Sequence, residues 1–588
     1  MRIRRTQGKT ILPGAFMTFS FVRRVAACSA VIALGTLAGC SDKDPIVQPP
    51  AALATPGAPT VTSTLTPSAT VTWSAVTGAT SYLVQRATGA TGGTFVALGD
   101  PTSATTVTDN SVSLSTTYRY RVAAQRGTEV TAYSAEGSVT VGTPGPKTRK
   151  VTANITANQT WTSDSVYTLS GFIKVQSGAT LTIQAGTTIV GDTTVAGSSL
   201  WILRGAKINA TGTATAPIVF TSARSAGNRK PGDWGGIIII GNGIINRTGT
   251  PILTEGGTAG VAENYAGGTD NNDNSGTLRY VRIEFAGYDV SNGAGQELNT
   301  LSMYAVGRGT TIEYVQSMTG LDDSFEFWGG AVDTRYLVSY EAGDDHFDWT
   351  EGYVGRNQFM LALQTQRLIP ATGTGVFSSD PKGFEGDGCD PAVSGCLLGT
   401  TAATTHAIYS MPVFANFTMV GPGQLAGFPA DGNGSTIRRG TGGTFRNGVL
   451  ARWKGIAINI RDVWTDSMRL RDSLSIRGLV LAENGFAFDT VAATGANSLG
   501  TADKFVNNNI RTPATAAVAL FTSLNTAGLD WRPAGGATSI LATGGEVAPA
   551  ARVTNYFGGS WVNTTYVGAI DPVATTLWYT GWTRYVIN

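Results

Sequence analysis

The chain holds two histidines, four cysteines and only 14% charged residues among 588 positions. Neither His346 nor His406 stands at ligand spacing from a cysteine, which argues against a zinc site. No segment shows a sustained helical period, so a helical bundle or coiled coil is excluded. Glycine is abundant, with 75 residues, but follows no triplet rule, and collagen is excluded with it. The apolar run after Arg24 is too short and too interrupted by small residues for a comfortable membrane span. A basic face of the kind nucleic acids require is also missing. The first 39 residues carry six of the 42 basic residues and no acid, so the remainder has a net charge of −4.

Those 39 residues have the plan of a secretory leader: a basic stretch ending in Arg23-Arg24, an apolar run from Val25, and Leu37-Ala38-Gly39-Cys40. Met17 is an alternative start, because MTFSFVRR already supplies the basic region. The L-A-G-C ending resembles the lipobox of bacterial lipoproteins. That resemblance implies a diacylated Cys40 as the mature N-terminus and a membrane as partner; an ordinary leader ending in cysteine is the alternative. Two acyl chains anchor durably, where one is marginal. Ser41 replaces the aspartate that retains lipoproteins at the inner membrane, so an outer-membrane location compatible with surface export is the expectation. Cys389 and Cys396 read as a small loop disulfide of an oxidising compartment.

From Cys40 to residue 56 the chain is a tether rich in Pro and Ala. Residues 57–143 then alternate in short runs such as ATVTWSAV, SYLVQRA and TYRYRVAAQ, at β-sandwich spacing. They resemble a fibronectin type III domain, with Trp73, Tyr82, and Leu114 with Tyr118 at its characteristic positions. Residues 150–588 have another texture. Short β-rich runs separated by Gly, Asn, Thr and Ser turns predict a parallel β-helix in which each coil stacks on its predecessor. The fold class is thus all-β. GDWGGIIIIG, GGTDNNDNSGTLRYVRIEFAG, FANFTMVGPG and WYTGWTRYVIN together resemble a family of exported bacterial right-handed β-helix proteins, commonly lipoproteins, whose role is largely unassigned. The resemblance implies fold and export, and no catalytic residues.

Charge is scarce, yet it is concentrated twice. LDDSFEFWGG, from Leu321, is echoed 22 residues later by GDDHFDWTEG, from Gly343. One coil of a β-helix accounts for that interval. It predicts Asp322 over Asp344, Asp323 over Asp345, and Glu326 over Asp348, about 4.8 Å apart. Strand alternation places Phe325 and Phe327 in the core, Asp322, Glu326, Asp344 and Asp348 outside, and Asp323 and Asp345 inside. A turn beside Ser324 overturns that last assignment.

Three functions fit the cluster. Calcium takes several oxygen ligands, and Asp322, Asp323, Asp344 and Asp345 offer them. Asp270, Asn272 and Asn274 form a weaker candidate, because their loop departs from the EF-hand pattern; turn closure is the plainer reading. Paired carboxylates also suit a glycoside hydrolase or polysaccharide lyase, with His346 as an available acid or base. Trp328, Trp349 and Tyr353 would then supply a sugar-stacking surface beside Asp322, Glu326, Asp344 and Asp348. The first expectation, however, is glycan or extracellular-matrix binding without turnover, with a structural envelope role third. No protein partner can be read from the residues.

Overall fold

The computed structural model describes residues 51–63, 67–142, 147–256, 262–291, 296–388, 409–489 and 508–587. Cys40, Cys389, Cys396 and most of the tether lie outside them. The described residues divide into two compact units, up to Pro144 and from Gly145 onward. Among them, no helix is long and apolar enough to cross a membrane.

The first unit is an antiparallel sandwich. Strands Thr60–Ser63, Ala69–Thr72 and Thr106–Asp109 form one sheet, and the second is built around the pair Ser81–Thr88 and Thr117–Arg126. Alternating residues fill the space between the sheets: Val71, Trp73, Tyr82, Val84, Tyr118, Tyr120 and Val122 are all buried. The Trp73 and Tyr82 rings meet edge to face at 5.4 Å. The Tyr118 hydroxyl accepts the Ser113 N–H at 3.0 Å, closing the corner before its strand. This is a fibronectin type III-like fold.

The second unit is a right-handed parallel β-helix. Its coils contribute to a ten-stranded sheet of short strands and a fourteen-stranded sheet whose later strands are long, all paired in parallel. The long strands bend at one register position, where Tyr280, Tyr314, Tyr336, Phe359, Asn416, Asn447 and Gly478 all have φ between 50° and 67°. Left-handed backbone costs a side-chain-bearing residue roughly 1–2 kcal/mol. Stacking offsets this in the first four, whose rings lie 4.4, 4.5 and 5.2 Å apart in succession. Asparagine, which tolerates this conformation, takes over in the next two coils.

The interior is a continuous column of apolar side chains. Val315 and Leu337, in strands Thr311–Met318 and Thr334–Tyr340, meet Phe325, Phe347 and Phe384 from the short-strand sheet. The C-terminal residues, including Trp531, Leu541, Val567 and Trp582, cover the outer face of the long strands, where Met318, Val338 and Leu361 point outward. Asn416 and Asn447 fasten that cover: both donate to the Thr564 hydroxyl, at 2.8 and 3.1 Å.

Candidate functional site

The 22-residue echo is one coil. Strand Phe325–Trp328 pairs with Phe347–Thr350, so Phe325 stands over Phe347 and Glu326 over Asp348; in the next coil Glu385 continues the column. The carboxylates converge in three overlapping groups, each with ligand atoms within 4.8 Å of one another: Asp322, Asp323 and Asp344; Asp323, Glu326 and Asp348; Asp345, Asp348 and Glu385. At an effective dielectric of ~20, two carboxylates at that separation repel by about 3–4 kcal/mol.

The alternation rule fails at one place. The chain bends at Ser324 and again at His346. Asp323 and Asp345 therefore join the outer carboxylates, correcting the expectation that they point inward. Ser324 and His346 turn inward instead. His346 Nδ1 lies 2.5 Å from Ser339 Oγ, which donates to Ser324 Oγ at 2.6 Å, and Ser317 donates to the same atom at 3.0 Å. All four residues are buried. Burial holds the imidazole pKa down to about 3, so His346 is a neutral core residue sealed from solvent.

The aromatic neighbours also divide. Trp349 occupies the register position of Phe327 and lies fully in the core, its indole N–H bonded to Thr441 at 3.0 Å. Tyr353 is equally buried, stacked on Phe327 at 4.5 Å. Neither faces a ligand: Trp349 falls on the inward set of its short strand, and Tyr353, beyond the turn that follows, donates its hydroxyl to Val332 O at 2.8 Å. Trp328 does lie on the outer side, half-buried and stacked on Tyr304 at 5.3 Å. Asp270, Asn272 and Asn274 close turns: Asp270 accepts the Asn272 N–H and Asn274 the Gly276 N–H, each at 2.8 Å. The side-chain oxygens of Asp270 and Asn274 thus serve the backbone, and among the described residues Asp270 joins none of the acidic groups at metal-binding spacing.

Although on the outer face, the acidic ladder is enclosed. Asp322 is 9% exposed, Asp323 and Glu326 6%, and Asp345 2%. Glu255 approaches through Asn299, whose amide donates to both Glu255 and Glu326. The Ser378 N–H donates to Gly343 O from a loop on the other side. Burial raises the carboxyl pKa values first and neighbouring carboxylates raise them further. Lys382 opposes this at Asp344 and Asp345, and Arg438 with Lys382 at Asp348. Glu255 reaches about 8, Glu297 about 7 and Asp344 about 6, while Asp322, Asp323, Glu326, Asp345 and Asp348 are all pushed well above the usual range.

Cations reach only one end of the ladder. Lys382 lies 2.8 Å from Glu385, 3.2 Å from Asp380 and 3.7 Å from Asp345; burial opposes its charge, but Asp345, Glu385 and Asp344 outweigh that and raise its pKa. Arg438 pairs with Glu385 and Asp387, and Arg439 with Asp387. No arginine or lysine of the described residues forms an ion pair with Asp322, Asp323, Glu326, Asp344 or Asp348.

Beyond Lys382 the same outer face opens. Thr436 follows Glu385 and Asn459 follows Thr436 in register. Here a groove of about 590 Å³ is lined by Asp380, Asp431, Asn433, Asn459, Lys454 and Arg461, with Phe486 at its edge. Phe486 is 56% exposed. The sequence reading passed over this groove, whose residues come from several coils and share no motif.

The family model described as pectate-lyase like beta helix domain matches residues 153–528. An Fn3-like protein from Clostridium thermocellum is 32% identical over 16% of this chain and 96% of its own, with a TM-score of 0.15. A family 28 exopolygalacturonase from Yersinia enterocolitica is 10% identical over 79% of this chain and 100% of its own, with a TM-score of 0.15. The pectate lyase PelI from Erwinia chrysanthemi is 9% identical over 78% and 100%, with a TM-score of 0.14. No curated protein sequence matches the chain. The match over well over half of its length places the chain in the pectate-lyase-like β-helix family.

Proposed function

We propose that this is a lipoprotein anchored through Cys40 at the outer membrane, whose β-helix binds an extracellular polysaccharide without cleaving it. The groove beside Phe486 carries this reading. Sugars present apolar C–H faces and a rim of hydroxyls, and a site for them combines an exposed ring with amides and charged groups. Phe486, Asn433, Asn459, Lys454 and Arg461 supply that combination in about 590 Å³. Lys454 is held in place by its bond to Phe428 O at 2.6 Å, and Arg461 is exposed at the rim. Lys454 and Arg461 stand beside Asp380, Asp431 and Asp489, so the groove is of mixed charge, with one more carboxylate than cation.

A lyase or hydrolase is the second reading. It is favoured by the carboxylates of Asp380, Asp431 and Asp489 beside Lys454 and Arg461, which offer acids and bases within one groove. The ladder is a poorer catalytic candidate, since Asp322, Asp323, Glu326 and Asp345 are only 2–9% exposed and Asp344 and Asp348 are half-buried.

A panel of neutral and acidic polysaccharides, read for both retention and new reducing or unsaturated ends, separates the readings. Retention without products, abolished in Phe486→Ala and Lys454→Ala, is the expected result. Product formation would establish the enzyme instead. No retention on any glycan would overturn both and leave a structural envelope role.

A further inference from the structure

We infer that the groove beside Phe486 selects a neutral polysaccharide whose units carry an acetamido group, read through the side-chain amide of Asn459. The inference rests on the glycan-binding reading of that groove and adds the class of sugar.

Three observations carry it. The first is an unused acceptor. Asn459 lines the groove and is 6% exposed, yet its enclosed Oδ1 accepts no hydrogen bond. In strand Ile456–Ile460 it stands in register with Thr436, whose hydroxyl accepts the Asn433 amide N–H at 3.3 Å. On the other side Phe488 is the register partner of Ile458, which brings Asp489 over Asn459, and a carboxylate only accepts. Buried acceptors normally find a donor, so this one marks where a ligand's N–H or O–H belongs. A hydroxyl would also bring its own lone pairs close to Asp489, whereas an amide nitrogen has none to present.

The second observation is charge. Asp380, Asp431 and Asp489 outnumber Lys454 and Arg461 around the groove, and Lys454 already donates to Phe428 O. A polyuronate would set a carboxylate on every ring against this excess of acid. A protonated amine would have to leave water to reach an enclosed amide oxygen, a cost that a neutral N–H avoids. The acetamido group meets both conditions.

The third is apolar surface at a fixed spacing. Phe486 is 56% exposed and pairs in register with Ile456, three residues before Asn459 and so roughly 10 Å away along the strands. One sugar ring can lie on Phe486 while the acetamido group of a neighbouring unit reaches Asn459. That separation calls for a chain of sugars rather than a single one.

The test is calorimetric titration of the purified full-length protein with N-acetylglucosamine hexamers in β-1,4 and in β-1,6 linkage. Each is compared with the glucose hexamer and the fully deacetylated glucosamine hexamer of the same linkage. The expected result is that an N-acetylated hexamer binds roughly tenfold or more tighter than both counterparts, and that the free monosaccharide binds far more weakly. In Asn459→Ala the ratio of N-acetylated to glucose hexamer should fall to near one. Thermal unfolding checks that this variant folds, and the parent's own ratios remain decisive if it does not. Equal affinity for the N-acetylated and glucose hexamers, or tighter binding of the glucosamine hexamer, would overturn the acetamido assignment while leaving glycan binding intact. So would retention of other polysaccharides with no N-acetylated hexamer bound. An unchanged ratio in folded Asn459→Ala would overturn the part given to Asn459. No retention of any glycan would overturn this inference and the reading beneath it together.

Discussion

The backbone N–H of Asp345 donates to Oδ1 of Asp323 at 2.8 Å, from exactly one coil away in sequence: 22 residues. The repeated acid pair is therefore also a cross-coil hydrogen bond. Asp323→Asn keeps the acceptor and removes an acid from the cluster, so it should match or exceed the parent in urea unfolding. Asp323→Ala leaves a buried N–H unpaired and should cost about 1–3 kcal/mol. Equal losses in the two variants would show that the carboxylate charge, not the acceptor, matters.

Glu341 supplies a pH signature outside the ladder. It is fully buried, and burial raises its pKa to about 7 despite bonds from Thr365 and Gln366. A carboxyl with a raised folded-state pKa favours the fold while protonated. Its contribution is present below the unfolded value of 4.5 and is lost as pH rises through about 7. Against Glu341→Gln, the parent should lose stability on the order of 3 kcal/mol between those limits. A stability difference that stays constant with pH would refute the assignment.

Trp582 should hold the C-terminal cover in place. Its ring meets Tyr280 and Tyr314 edge-on at 6.0 and 6.1 Å, and its carbonyl accepts from Arg282 at 3.0 Å. Trp582→Ala should destabilise by about 3–5 kcal/mol. Limited proteolysis should then cut within residues 508–587 before it cuts the coils. Simultaneous cutting would mean that cover and coils unfold as one unit.

Gly386 completes the column above Phe327 and Trp349. A Cβ there would lie 2.0 Å from Trp349 Cζ2. Gly386→Ala should therefore overpack the core and cost about 1–3 kcal/mol or more, read as a lower unfolding temperature. Combining it with Trp349→Phe should recover part of the loss; no recovery would place the strain elsewhere.

The sequence by itself determined the coil. An interval of 22 residues carries Glu326 onto Asp348 and Tyr314 onto Tyr336, because parallel strands pair in register and identical spacing returns each side chain to the same column. It also contained the inward positions of Phe325 and Phe327, through simple alternation. The facing of Asp323 and Asp345 was decided only by the tertiary structure, since a bend at Ser324 and His346 resets the alternation and sends serine and histidine inward. Trp349 and Tyr353 were assigned to a ligand by their chemistry, but a β-helix fills its interior with whatever occupies the inward register. The groove beside Phe486 was decided there too. Its residues lie far apart between Asp380 and Asp489, and only coil stacking brings their side chains to one face.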